Sequence, residues 1–174
     1  ELRAAGIDLG VVKIGGDLGR IQAGDGAAET MGVKQLAVHS FGVFGISTQP
    51  AGGSFESAIN GRLGALVVKT DVNGVSLAET AGADGSIGSV KMGGSLIGGA
   101  TNNAGRISTS ADMGAVKVGG DIRGGSGIDT GRIVAATTIK SASIGGSIIG
   151  GTGDFSGGLV AFEGAGSVRI RRGI

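Results

Sequence analysis

The sequence contains one histidine, His39, which is followed by the hydroxyl of Ser40, so this pair is the first candidate for hydrolytic chemistry. A serine nucleophile needs a histidine base and an acid that orients the histidine. No G-x-S-x-G turn surrounds Ser40, and nothing in the sequence places an acid behind His39. The chain has no cysteine, and no cluster of His residues offers a transition-metal site. We therefore expect His39 to be a structural or surface residue.

Two aspartates that follow glycine-rich stretches, Asp129 and Asp154, are the candidates for a calcium site. The segment GGSGID, residues 124–129, is similar to the start of a nonapeptide that binds calcium in exported bacterial repeat proteins. Gly131 stands where that pattern needs a large apolar residue, and the following GGTGDF moves the acid to Asp154. One carboxylate per repeat is a poor match for an ion that takes about six to eight oxygen ligands. Solvated turn carboxylates are the favoured interpretation, and we predict no cofactor.

The other charged residues do not form a recognisable catalytic set. One position of the repeat described below holds Asp17, Ser95, Asp121 and Ser147. Alternation of Asp with Ser keeps acids apart, whereas a catalytic groove would cluster them. Lys91 and Lys117 should stack on neighbouring repeats, but the chain has neither Tyr nor Trp for a sugar platform. We expect these lysines to form an outward, solvated row, and we predict that the protein is not an enzyme.

The charge balance argues against nucleic acid as a partner. Fifteen basic and fourteen acidic side chains give a net charge of +1. The one basic cluster along the sequence, Arg169, Arg171 and Arg172, has no aromatic residues interleaved with it. No apolar run is long enough to cross a membrane. We therefore predict neither nucleic-acid binding nor a membrane span.

The chain repeats itself, and the repeat must position all of these residues. Three consecutive units of 26 residues align without a gap, and the same frame extends towards the N-terminus. The predicted units are residues 9–32, 33–62, 63–86, 87–112, 113–138 and 139–164, with partial units at 1–8 and 165–174. These six units and their partial ends form one repeat domain.

Apolar residues occupy fixed columns of this frame. The first column is Leu9, Val33, Leu63, Ile87, Met113, Ile139 and Ala165. The second is Val12, Leu36, Leu66, Val90, Val116, Ala142 and Val168, and the third is Ile14, Val38, Val68, Met92, Val118, Ile144 and Ile170. A fourth column holds Leu18, Val72, Leu96, Ile122, Ile148 and Ile174, and a fifth holds Ile107, Ile133 and Leu159.

The second and third columns are two residues apart, which is strand periodicity. Glycine pairs separate the short apolar segments, and glycine permits a sharp turn because it lacks Cβ or adopts positive φ. The pattern predicts an all-β fold, a parallel β-solenoid with about three short strands per coil. A leucine-rich repeat has a similar period. The Asn expected in its pattern is missing, however, and the second half of each unit has no helical spacing of apolar residues.

The unit 33–62 is longer than the others and contains the only proline. Its extra residues, GISTQPAGGSFES, predict a protruding loop centred on residues 46–57. Loops on a rigid scaffold often carry recognition, but a variable loop without a ligand is the simpler interpretation.

The phrases VKIGGDL, VKMGGSLIGG, VKVGGDIRGG and SIGGSIIGG resemble the glycine-rich repeats of very large exported or surface-anchored bacterial proteins. More loosely, they are similar to the β-solenoid shafts of filamentous adhesins. This resemblance implies a structural, extracellular or cell-surface shaft or filament, with no catalytic residues. Neighbouring repeats or further copies, stacked head to tail, are the expected partners, and a surface glycan or protein is a possible one. The alternatives are a carbohydrate-active β-helix enzyme and an adhesin that binds through the 46–57 loop.

Overall fold

The computed structural model describes residues 1–27, 30–51, 53–82 and 85–173. In these residues the chain is all-β, and parallel strands stack into a β-solenoid of about six turns. A 3₁₀ turn lies at Ile46–Thr48. The predicted fold class is confirmed, and the described part of the second half of each unit has no helix of the leucine-rich type.

Each coil has three faces. The long face consists of β2 (Leu9–Leu18), β4 (Val33–Phe41), β6 (Leu66–Val68), β9 (Ser86–Met92), β12 (Asp112–Val118), β15 (Thr138–Ile144) and β18 (Gly164–Ile170). The short face consists of β7 (Val72–Asn73), β10 (Leu96–Ile97), β13 (Ile122–Arg123) and β16 (Ile148–Ile149). The third face consists of β1 (Leu2–Ala5), β3 (Ile21–Gly24), β5 (Glu56–Ile59), β8 (Ser76–Glu79), β11 (Arg106–Thr109), β14 (Arg132–Ala135) and β17 (Gly158–Ala161). The long and short faces form one sheet, because β4 pairs with strands of both, and the third face forms a second sheet.

The first three predicted columns are ladders of directly paired residues on the long face. Val90 pairs with Val116, Val116 pairs with Ala142, and Ala142 pairs with Val168. Val90 and Val116 are buried, whereas Val168 is 46% exposed, because β18 is covered by a neighbouring strand on one side only. The predicted interior rows are therefore confirmed.

The fourth column needs one correction. The sequence frame assigned no residue of unit 33–62 to it, but Phe41 pairs with both Leu18 and Val72 and is fully buried. The register of β2 and β4 shifts between Ile14 and Asp17, so unit 33–62 has one residue fewer at this corner. Ile174, which the frame placed in the same column, lies outside the described residues.

The glycine corners have two different physical causes. A Cβ on Gly119 would lie 2.0 Å from the carbonyl oxygen of Gly93 in the preceding coil, and its φ is not positive. Gly131 has a φ of +59°, and a Cβ there would lie 2.0 Å from the carbonyl oxygen of Arg123. At the Gly-Gly corner, glycine is thus required because two coils approach closely. After the short face, it is required both because a carbonyl oxygen lies close and because φ is positive.

The predicted loop is shorter than the sequence suggested. Glu56 and Ser57 belong to β5, so the irregular segment ends before them. Phe55 packs against the core, and its ring lies next to Gly74. Gln49 lies against Gly19 of the preceding coil. The segment is therefore folded back onto the solenoid around Gln49 and Phe55, while Phe44 and Ile46 remain exposed.

Candidate functional site

Two adjoining clefts lie beside the inserted loop on the outer side of the third face. One, of about 360 Å³, is lined by loop residues that include Ile46 and Phe55 and by Thr101 and Asn102. The other, of about 320 Å³, runs over the strands and is lined by residues that include Arg20, Gln22, Arg106 and Ser108. Both clefts are also lined by Glu56, Ser76 and Asn103. Together they form a shallow groove with mixed polar and apolar walls.

Two arginines of the groove donate hydrogen bonds within the chain. Arg20 Nε donates to the backbone oxygen of Glu56 at 3.0 Å, and an Arg106 nitrogen donates to Asn103 Oδ1 at 3.4 Å. Glu56 is the one carboxylate among the described lining residues. Glycoside hydrolysis commonly uses a pair of carboxylates, and the groove walls do not provide such a pair. The arrangement can offer hydrogen bonds to a polar ligand along several strands.

A ladder of alternating acids and serines lies at the corner between the long and short faces. Pairing of the neighbouring strands places Asp17, Ser40, Asp71, Ser95, Asp121 and Ser147 one above another. The sequence analysis identified four of these residues. It missed Ser40 because the shorter corner of unit 33–62 displaces that residue, and it missed Asp71 although Asp71 directly precedes Val72 of the predicted fourth column. Acids stand on every second coil, about 9.6 Å apart if coils are spaced about 4.8 Å apart.

Side chains of this ladder bind the backbone of the next coil. Asp71 Oδ1 accepts the N–H of Ser95 at 2.6 Å, and Ser95 Oγ accepts the N–H of Asp121 at 3.0 Å. Asp121 Oδ1 then accepts the N–H of Ser147 at 2.8 Å. The Ser147 N–H, followed by the Arg123 guanidinium, holds the pKa of Asp121 below its ordinary value. The ladder thus satisfies corner N–H groups and has a structural role.

The two calcium candidates occupy different positions in their coils. The backbone N–H of Asp129 donates to the carbonyl oxygen of Asp154 at 3.0 Å, so Asp129 lies one register position past Asp154. The Asp129 carboxylate is paired with Arg132, whose guanidinium lies 5.7 Å from the centre of the Phe155 ring. No group of three or more His, Cys, Asp or Glu residues that could hold a metal ion occurs among the described residues. Asp129 and Asp154 therefore belong to no such group in the described part of the chain.

His39 and Ser40 point to opposite sides of β4. His39 is exposed on the outer surface, whereas Ser40 is buried and its hydroxyl donates to Asp17 Oδ1. Their side chains cannot hydrogen-bond to each other from opposite sides of a strand. The pair therefore does not form the nucleophile and base of a hydrolase.

The predicted lysine row is present. Lys91 pairs directly with Lys117 on the outer side of the long face, and both are exposed. Arg169 stands in the same column, paired with Ser143, which in turn pairs with Lys117. Arg171 directly follows β18, whereas Arg172 lies beside the short face and lines a cleft with Ser147 and Ile148. Of the arginine cluster, Arg169 therefore shares the column of the lysine row.

A buried carboxylate, Glu79, was missed by the sequence analysis. This residue is 3% exposed and lies at the end of β8. The residue paired with it in β5, Ile59, is apolar. Glu79 Oε2 accepts from Thr109 Oγ1 at 2.8 Å and from both the hydroxyl and the N–H of Ser110. Its Oε1 accepts the N–H of Ala81 at 2.6 Å. Four donors from the chain therefore surround this carboxylate and link two neighbouring coils.

Comparison with known proteins adds no identification. No family model, curated protein or solved structure matches the chain. In the described part of the chain, no helix has the length and hydropathy of a membrane span. The fold and its surfaces are therefore the basis for a functional proposal.

Proposed function

We propose that this chain is a structural, non-catalytic segment of a β-solenoid shaft that lies outside the cell or on its surface. The observation that carries the proposal is the unbroken pairing of three apolar columns from β2 to β18. A repeat array of this kind can be lengthened one coil at a time, since each coil contacts only its neighbours. The resemblance of its glycine-rich phrases to exported bacterial repeats supports the cell-surface location.

Head-to-tail stacking would bring together the first and last coils of the described solenoid. At the first end, Leu9, Val12 and Ile14 are only partly buried. At the other end, most of β18 is exposed, including Val168. Both ends therefore present the same columns to solvent, together with the unpaired edges of parallel strands. A further coil, from the same polypeptide or a second copy, would cover each of them.

Gly15 gives a specific reason to expect a coil beneath the first end. Gly15 stands two residues before Asp17 of the acid–serine ladder. The glycines that stand two residues before Ser95, Asp121 and Ser147 are Gly93, Gly119 and Gly145. A Cβ on Gly93, Gly119 or Gly145 would lie 2.0 to 2.2 Å from a carbonyl oxygen of the preceding coil, but a Cβ on Gly15 would meet nothing within 4 Å. A stacked coil would occupy that space and explain the glycine.

Duplication of one coil tests the shaft proposal. A variant that carries residues 113–138 twice should fold, be longer by about 4.8 Å and unfold at a higher urea concentration. Small-angle scattering gives the length, and circular dichroism gives the unfolding midpoint. A duplicated chain that aggregates or loses stability would contradict the proposal.

Head-to-tail stacking is tested separately by light scattering over a range of concentrations. Stacking predicts that mass increases with concentration and that Gly15→Ala reduces this increase without altering the unfolding midpoint. A chain that stays monomeric at high concentration would contradict stacking between copies, whereas the shaft proposal would still stand on the duplication experiment.

An adhesin that binds through the 46–57 loop is the second candidate, and the groove beside the loop favours it. Phe55→Ala combined with Asn102→Ala alters one wall of this groove and should reduce attachment to the target surface. An unchanged attachment would remove this candidate.

A further inference from the structure

Five of the six lysines lie in strands of the long face, on its outer side, and Lys69 directly follows β6. The six are Lys13, Lys34, Lys69, Lys91, Lys117 and Lys140, and each of them is exposed. Each of the six units contributes one lysine, and Arg169 and Arg171 continue the series in the last partial coil. We call this surface the lysine face. Coils about 4.8 Å apart give it about one cation per 4.8 Å of solenoid length.

The acids of the long-face strands, Asp17 and Asp112, lie outside the stretch between the first and third columns and accept hydrogen bonds from the next coil. Between the first and third columns, the outward positions of every coil hold only Lys, Arg, Gly, Ala, Ser, Val or Gln. The ion pairs among the described residues use Arg3, Arg20, Arg123 and Arg132, and none of them uses a lysine. The net charge of +1 is therefore a sum over different regions of the surface. The lysines lie on one side, and the arginine–carboxylate pairs lie elsewhere.

Folding alone does not explain this arrangement. Lys91 and Lys117 are directly opposite each other in a parallel pair, and like charges in that position destabilise a sheet. Ser143 occupies the same column in the next coil, so a neutral residue is compatible with the position. A bound polyanion would convert this repulsion into attraction.

We propose that the lysine face binds a linear anionic polysaccharide, which lies along the solenoid axis with its acidic groups over successive lysines. The residues between the lysines are small, so a chain can approach the sheet closely. Hydroxyl and amide groups that can bond to sugar hydroxyls lie among them, at Gln35, Ser89, Ser141, Ser143 and Ser167. This inference goes beyond the shaft proposal and does not require it, because it depends on only one face of the coils.

The same surface is less suited to nucleic acid or lipid. Single-stranded nucleic acid binds aromatic side chains by stacking, and the outward positions between the first and third columns contain none. Duplex DNA carries a charge about every 1.7 Å, which is much denser than the lysines. Interfacial lipid binding uses large apolar or aromatic side chains that insert, and the large exposed apolar side chain at these outward positions is that of Val11.

The test is titration of the purified chain with polygalacturonate at low ionic strength, with neutral dextran as the uncharged control. We expect binding that weakens as salt is added, because it depends on charge. The variant Lys91→Gln/Lys117→Gln should lose about tenfold or more in affinity. The matched control is Arg3→Gln/Arg123→Gln, which removes the same charge from side chains that are 64% and 55% exposed on other faces. This control should change affinity by less than about twofold.

Three results would overturn the proposal. The first is no binding of polygalacturonate at low salt by a chain whose circular dichroism is that of a folded β protein. The second is an equal loss of affinity in both double variants, because the attraction would then depend on total charge alone. The third is tighter binding to phosphatidylserine vesicles or duplex DNA than to polygalacturonate, with the same dependence on Lys91 and Lys117. An unfolding midpoint of the lysine variant that is equal to or higher than that of the unaltered chain shows that any lost affinity does not come from misfolding.

Discussion

The carboxylate of Asp121 accepts the backbone N–H of Ser147 at 2.8 Å, although these residues are 26 positions apart in the sequence. The same carboxylate is paired with Arg123 at 2.6 Å. Asp121→Ala would leave the Ser147 N–H without its acceptor, so we expect it to reduce the free energy of unfolding by about 1–2 kcal/mol. Urea titration measures this change. Asp154→Ala is the control and should change stability by less than about 0.5 kcal/mol, because Asp154 is exposed in a turn. Equal effects of the two substitutions would contradict the role of the ladder.

Acid should weaken the solenoid through Asp112 and Asp121. The hydroxyls of Thr137 and Thr138 hold the pKa of Asp112 below its ordinary 3.8, and the Ser147 N–H and Arg123 do the same for Asp121. A carboxyl with a lowered folded-state pKa contributes stability above its unfolded pKa and loses it as the pH falls towards the folded value. We therefore expect this contribution to be constant from neutral pH to about 4 and to decrease below that.

The variant Asp112→Asn/Asp121→Asn isolates this contribution to the pH dependence. Urea midpoints measured over the acidic range should decrease less steeply for the variant than for the unaltered chain. Parallel curves for the two proteins would show that other carboxyls cause the acid sensitivity.

The buried Glu79 should be among the most sensitive polar positions. Glu79→Ala removes the acceptor for Thr109, Ser110 and the N–H of Ala81 and should cost about 2–3 kcal/mol. Glu79→Gln keeps an acceptor oxygen and should cost less. Glu56→Ala, on an exposed side chain, serves as the control and should be nearly neutral. Thermal unfolding followed by circular dichroism orders these variants, and a neutral Glu79→Ala would contradict the assigned contacts.

Alanine at the Gly-Gly corners should have effects that depend on the coil. Gly119→Ala places a Cβ 2.0 Å from the carbonyl oxygen of Gly93, whereas Gly15→Ala meets nothing within 4 Å. We expect the first substitution to cost about 2 kcal/mol or more and the second to leave the isolated chain unchanged. Urea midpoints at low protein concentration compare them. If Gly119→Ala is as stable as Gly15→Ala, the coils are not in the close contact described here.

The repeat and its interior columns could be predicted from the sequence because their signal is local. Val90 and Met92 lie two residues apart, and the same apolar pair recurs in every unit. Phe41 escaped prediction because the corner before it is one residue shorter, which displaces it in any alignment of fixed length. Glu79 escaped because only the folded chain brings Thr109 and Ser110 to this buried carboxylate.

The lysine face could be predicted only in part. Lys13, Lys91 and Lys117 occupy one column, so their alignment is visible in the sequence. Lys34 and Lys140 directly follow the first column, and Lys69 directly follows the third, so the fold brings them to the same side as the others. A net charge near zero gave no indication of this surface, since it sums over all faces.

Disulfide cross-linking tests the coil register most directly, because the chain has no native cysteine. In the variant Lys91→Cys/Lys117→Cys the two cysteines are directly paired on neighbouring coils, about 4.8 Å apart between Cα atoms, which a disulfide can span. In the control Lys91→Cys/Ser143→Cys they are two coils and about 9.6 Å apart, which is too far. Under mild oxidation, with mass spectrometry as the readout, we expect an intramolecular disulfide in the first variant and none in the second. Equal cross-linking of the two variants, or cross-linking of the control alone, would contradict a solenoid with a 26-residue return along this face.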